Sequence, residues 1–111
     1  MPDVFFRSLK CHETTGGAGS DQVRVYFKGE LIFLSSMKGG RHRSIGAGPE
    51  EGQLKRRFDG PETVWVKEID DGSDDIIGTV DLIPFGATGE QAAPMYGDGS
   101  HYVLYYAVGG A

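Results

Sequence analysis

From Gln22 to Lys28, the residues Val23, Val25 and Phe27 alternate with Gln22, Arg24, Tyr26 and Lys28. A period of two sends successive side chains to opposite faces, so this segment predicts a strand with one buried and one solvated face. Gly29-Glu30 has the length of a tight connection into Leu31-Ile32-Phe33-Leu34, which gives a hairpin. Val4 to His12 opens with aromatic and β-branched residues and runs into the polar, glycine-rich stretch from Glu13 to Asp21, a strand followed by a loop. Thr63 to Lys67 and Ile76 to Ile83 predict two further strands, with Gly78 marking a bulge or a close backbone approach in the second. Gln53 to Phe58 is a weaker strand, and Asp59-Gly60-Pro61 is a turn. His101 to Val108 ends the pattern, with Tyr102, Leu104, Tyr106 and Val108 on one face and His101, Val103, Tyr105 and Ala107 on the other. Ser35 to Gly52 and Pro84 to Ser100 carry little apolar material and predict long connections.

No stretch free of Gly and Pro repeats its apolar residues at helical spacing for three turns, which excludes an α-rich fold. The expectation is therefore all-β, with about seven or eight strands at spacings that suit a sandwich or barrel, the sandwich being the assignment adopted. Without helices for crossover connections, the strands should be mostly antiparallel. A chain of 111 residues has the size of one domain, and residues 1–111 are assigned to a single one. Phe27, Trp65 and Leu104 are assigned to its core.

Composition narrows the function classes. Eighteen glycines without a collagen-like period punctuate strands. Sixteen acidic against eleven basic residues, a net charge of −5, argue against a general nucleic-acid binder and suit cations better. A single cysteine, Cys11, makes no intrachain disulfide. The segment Met1 to Arg7 lacks the basic start and long apolar run of a secretory signal, and no apolar stretch is long enough to span a membrane, so the default expectation is cytoplasmic.

The chemically distinctive segment is Glu68-Ile69-Asp70-Asp71-Gly72-Ser73-Asp74-Asp75, five carboxylates in eight residues between two apolar strands. Like charges this close repel unless a cation screens them, and a hard cation such as Ca²⁺ takes six to eight oxygens. Glu68 and Asp70, two apart in an extended arm, leave the same face and can reach one ion. Asp71 or Asp74 suits the turn around Gly72-Ser73, and Asp75 closes the site ahead of the next strand.

Asp70-Asp71-Gly72-Ser73-Asp74-Asp75-Ile76-Ile77-Gly78 resembles the third calcium-binding loop of C2 domains, and Glu13 with Ser20-Asp21-Gln22-Val23-Arg24-Val25 resembles their first. The resemblance covers roughly residues 9–28 and 64–83, in the right order. It implies an eight-stranded Greek-key sandwich with two loops meeting at one end. It also implies a Ca²⁺ ion held by Glu13, Asp21, Glu68, Asp70 and Asp75, with Asp71 and Asp74 as nearby alternatives, and binding of anionic phospholipid through that ion. The chain departs from the pattern in having Glu13 and Glu68 where Asp is usual, a longer first loop, a third loop one residue short, and Gln22-Val23 in place of Tyr-Pro.

Lys38, Arg41 and Arg43, with Lys55, Arg56 and Arg57, form a second charged group that would attract phosphates or an acidic membrane surface, against the plain reading of a flexible loop and a charge-protected edge strand. The acidic turn has its own plain reading as a solvated hairpin loop. No catalytic set can be assembled: Cys11-His12-Glu13 alternates faces along a strand, His42 and His101 lack spaced partners for zinc, and no glycine run continues as a phosphate loop. An EF-hand is excluded by the lack of the closing Glu. Two functions follow as expectations: a non-catalytic calcium-binding C2-like module that targets an anionic ligand or membrane, and a metal-free structural or protein-interaction β-sandwich of a larger assembly.

Overall fold

The computed structural model describes residues 2–16, 19–70, 73–84 and 88–109. Nine strands are present among them: β1 (Asp3–Glu13), β2 (Asp21–Phe27), β3 (Glu30–Met37), β4 (His42–Ser44), β5 (Leu54–Arg57), β6 (Glu62–Asp70), β7 (Ser73–Leu82), β8 (Gln91–Met95) and β9 (His101–Gly109). Every pairing is antiparallel. The first sheet runs β4-β1-β9-β8, with β5 also on β1; the second runs β3-β2-β6-β7. Since β9 occupies one edge of β1 along its length, β4 and β5 lie end to end on the other, against Ser8–Lys10 and Asp3–Phe6. The all-β, antiparallel sandwich expected from the alternation is what the chain forms.

The inner faces follow the period of two. Val23, Val25 and Phe27 of β2, Val64 and Val66 of β6, and Tyr102, Leu104 and Val108 of β9 are all buried in one cluster with Phe6 and Leu9 of β1. Phe27 anchors it, edge-on to Phe6 at 5.4 Å and to Phe58 at 6.1 Å, geometry that adds to simple area burial.

Three local expectations are corrected. The β2–β3 turn is Lys28-Gly29, one residue earlier than the composition suggests, because both positions adopt positive φ (52° and 77°), the combination that matches the twist of a two-residue hairpin. The two long connections each contain a strand. Met37 and Ile45, both fully buried, pin the ends of the β3–β4 segment, and Met95 pins β8. Trp65 is not core: it is 40% exposed. Val64, Val66 and Glu68 take the inner positions of β6, so Trp65 falls on the outer face with its cross-strand partner Tyr26. Lys67 places its ammonium 5.6 Å from the Tyr26 ring and 5.8 Å from the Trp65 ring.

The two seams of the sandwich differ. Between β7 and β8 the backbones approach closely: a Cβ on Gly78 would lie 2.6 Å from Met95 Cβ, and one on Gly97 would collide with the carbonyls of Ile76 and Ile77. Between β3 and the β4/β5 edge, Arg56 Nε reaches Glu30 at 2.9 Å, and a cleft opens beside that bridge.

Candidate functional site

Because β2 and β6 are antiparallel with Val23 opposite Glu68, the start of β2 and the end of β6 lie side by side. The end of β1, the start of β2, the end of β6 and the start of β7 therefore lie at the same end of the sandwich, and the described acidic residues of the predicted set lie on those strand ends.

Asp21 opens β2 on the inner face and is only 2% exposed. Its Oδ2 accepts the Thr15 backbone N–H at 2.9 Å and the Tyr102 hydroxyl at 2.5 Å, and its Oδ1 accepts the Thr15 hydroxyl at 2.7 Å. A buried carboxylate survives only with such donors. Thr15 closes the β1–β2 loop onto it, and Tyr102 of β9 ties it to the opposite sheet. Cys11, across β1–β9 from Tyr102, shares that hydroxyl. Burial pushes the Tyr102 hydroxyl far above the usual tyrosine range, and the bond to Asp21 adds to it. Burial likewise raises the Cys11 thiol, opposed by its hydrogen bond to Tyr102.

Glu68 is 7% exposed on the same inner face, and the register sets it directly opposite half-buried Asp75 of β7. Asp74 pairs with Ile69 and is exposed, at a position of opposite parity. Asp70 pairs with Ser73 at the mouth of the turn. Asp71 lies outside the described residues, as does the side chain of Asp70. Glu13 is the last residue of β1, exposed, on the first sheet. Among the described residues, no three metal-ligating side chains stand close enough to hold one ion. These acidic side chains offer carboxylate oxygens, the ligand type that hard cations prefer.

The basic residues form one stretch. Lys38 and Arg41 flank the turn after β3, Arg43 lies on β4, and Lys55, Arg56 and Arg57 lie on β5, which continues the same edge. Two of them are engaged: Arg56 donates to both Glu30 oxygens at 2.9 and 3.0 Å, and Arg57 lies 3.8 Å from Asp3.

Cys11 is buried and His12 exposed, as strand alternation requires. His12 instead stacks on His101 at 4.4 Å, and Tyr96 also stacks on His101 at 4.7 Å. Sequence reasoning missed this ring stack, the Thr15–Asp21–Tyr102 tie and the Tyr26–Trp65–Lys67 face, since each joins residues distant in sequence through the sheet register. Among the described residues no helix is long and apolar enough to cross a membrane. No protein-family model matches the chain, and no curated protein matches it.

Proposed function

We propose that the chain is a non-catalytic binding module that takes up Ca²⁺ at the end where the β1–β2 and β6–β7 connections emerge, and through it an anionic ligand or membrane surface. The observation that carries this reading is the register: Glu68 and Asp75 face each other directly on neighbouring strands, with Asp21 two positions beyond the residue that pairs with Glu68. Like charges opposite each other on a sheet are destabilising, and a cation shared with Asp70 reverses the sign of that term. The C2-like ligand set and Greek-key arrangement belong to the same proposal.

The test is thermal unfolding with and without millimolar Ca²⁺. A ligand bound only by the folded state stabilises it by RT ln(1 + [L]/Kd), about 2.7 kcal/mol at a hundred times Kd. Asp70→Asn with Asp75→Asn should abolish the response. Asp75→Asn alone should leave the calcium-free protein as stable or slightly more stable, by about 0.2–1 kcal/mol, since it removes the opposed charge. No shift in the wild type, or a shift that survives the double change, refutes the site. Sedimentation with phosphatidylserine vesicles, with Ca²⁺ and with chelator, tests the membrane branch; equal pelleting in both refutes a calcium bridge.

A metal-free protein-interaction module is the second reading, favoured by the open seam along β3.

A further inference from the structure

We infer that the free edge of β3 is a docking site for an extended acidic peptide, which adds to the second sheet as a fifth strand. This inference is independent of calcium binding.

β3 ends its sheet, with β2 on one side and, among the described residues, no strand on the other. An edge strand presents unpaired N–H and C=O groups that template another strand, and proteins commonly blunt such edges with Lys, Pro or inward charges. β3 carries no Lys or Pro; its only such features are a bulge at Ile32 and Glu30 at its start, which is engaged by Arg56, and the rest of its sequence, Leu31-Ile32-Phe33-Leu34-Ser35-Ser36-Met37, is rich in β-formers. Leu31 and Leu34 are 43% and 58% exposed. The other end of the same sheet is shielded, because β7 is crowded by Met95 and Gly97.

The space beside β3 is shaped to receive something. A cleft of about 500 Å³ runs along Ile32 to Ser35 and is bounded across the seam by Arg43, Leu54 and Arg56, a size within the range of ligand pockets. Main-chain groups on one wall and apolar side chains beside them are the elements of strand addition, in which backbone hydrogen bonds give affinity and alternate side chains give selectivity.

Charge selects the occupant. Six of the eleven basic residues, Lys38, Arg41, Arg43, Lys55, Arg56 and Arg57, lie on the segments bordering this seam of an otherwise acidic protein. Arg56 is satisfied by Glu30 and Arg57 faces Asp3; among the described residues no ion pair engages the other four. Glu50 is the acidic residue on the cleft wall besides that bridge. A second copy docked edge to edge would bring two such basic borders together, which costs free energy. A peptide alternating acidic and apolar residues meets both the cations and Leu31 and Leu34.

The experiment uses the ¹⁵N-labelled full chain in chelator with an eight-residue glutamate–valine alternating peptide, matched to the eight residues of β3. Controls are the lysine–valine peptide and a glutamate–proline peptide of equal charge that lacks the backbone donors. The expected result is amide shifts and slowed hydrogen exchange concentrated at Leu31 to Ser36, absent with both controls, and about tenfold weaker in Arg43→Glu, the loss of one charge-assisted contact. Leu34→Glu, at an exposed position, should also weaken binding without unfolding the chain, since it removes the apolar contact and repels the acidic peptide. Equal binding of the glutamate–proline peptide reduces the effect to unspecific charge attraction and overturns the proposal. So do shifts centred on Trp65, or a concentration-dependent dimer of the protein alone that Leu34→Lys dissolves.

Discussion

Removing the Tyr102 hydroxyl tests whether the two sheets are tied through Asp21. Tyr102 is fully buried and Asp21 is 2% exposed, so neither group can replace the lost bond with bulk water. Tyr102→Phe deletes one of three donors to the carboxylate and opens no cavity larger than an oxygen atom. A hydrogen bond to a charged group contributes about 1.5–3 kcal/mol net, so the expected loss is about 2 kcal/mol. With a urea slope of about 1–3 kcal/mol/M for a domain of this size, the midpoint should fall by roughly 1 M. The assay is equilibrium urea unfolding by circular dichroism at neutral pH, in chelator, for the wild type, Tyr102→Phe, Asp21→Asn and the double variant. If the bond is the cause, the two changes are non-additive by about 1 kcal/mol or more. A loss below about 0.5 kcal/mol, or full additivity, refutes the tie.

Other outcomes follow from packing and titration. Gly78→Ala should cost about 1–3 kcal/mol by overpacking, read from the urea midpoint, and Met95→Ala should recover part of it, because the added methyl meets Met95 Cβ at 2.6 Å. The fluorescence of Trp65, the chain's one tryptophan, should be clearly but incompletely quenched by iodide in the native state, less than in urea; a shielded, blue-shifted emission would contradict its outward position. Stability should also fall in alkali. Burial raises Cys11 above its ordinary 9.0, and Tyr102 and Tyr106 above their ordinary 10.0. The protonated forms are thus favoured by the folded state. Their contribution is complete below about pH 9 and is lost as pH rises, at up to about 1.4 kcal/mol per pH unit for each group. A flat urea midpoint from pH 8 to 11 would refute this, and Tyr102→Phe should flatten the decline above pH 10.

Strand alternation was legible wherever apolar and polar residues took opposite parities, as in β2; in β9, apolar on both faces, Val103 and Ala107 are buried as well as Tyr102, Leu104 and Val108. It failed at Trp65 because size and hydrophobicity argue for burial while position argues for the outer face, and position wins: Val64 and Val66 on either side are both fully buried. β4 and β8 were invisible for a different reason. They are three and five residues long and mostly exposed, so little alternation marks them; they exist because β1 and β9 offer edges to pair with. The basic groups at Lys38 to Arg43 and Lys55 to Arg57 were legible as composition. That they form one border required knowing that β4 and β5 share an edge of β1.

The acidic residues divide in the same manner, into those whose role composition suggests and one whose role topology assigns. Asp75 stands opposite Glu68 in register and is half-buried, so under the proposed calcium reading its charge is the one a bound cation would offset. Asp21 is the reverse: it holds the Thr15 loop and the Tyr102 strand whether or not an ion is present. A carboxylate offers about four lone-pair sites, and three are taken by protein donors. Asp21 therefore has room for a single cation contact, and neutralising it must weaken the fold and the site together. Asp75→Asn separates those two effects, so the proposed calcium response is judged there and at Asp70, with Asp21→Asn reporting how firmly the Thr15 loop is held.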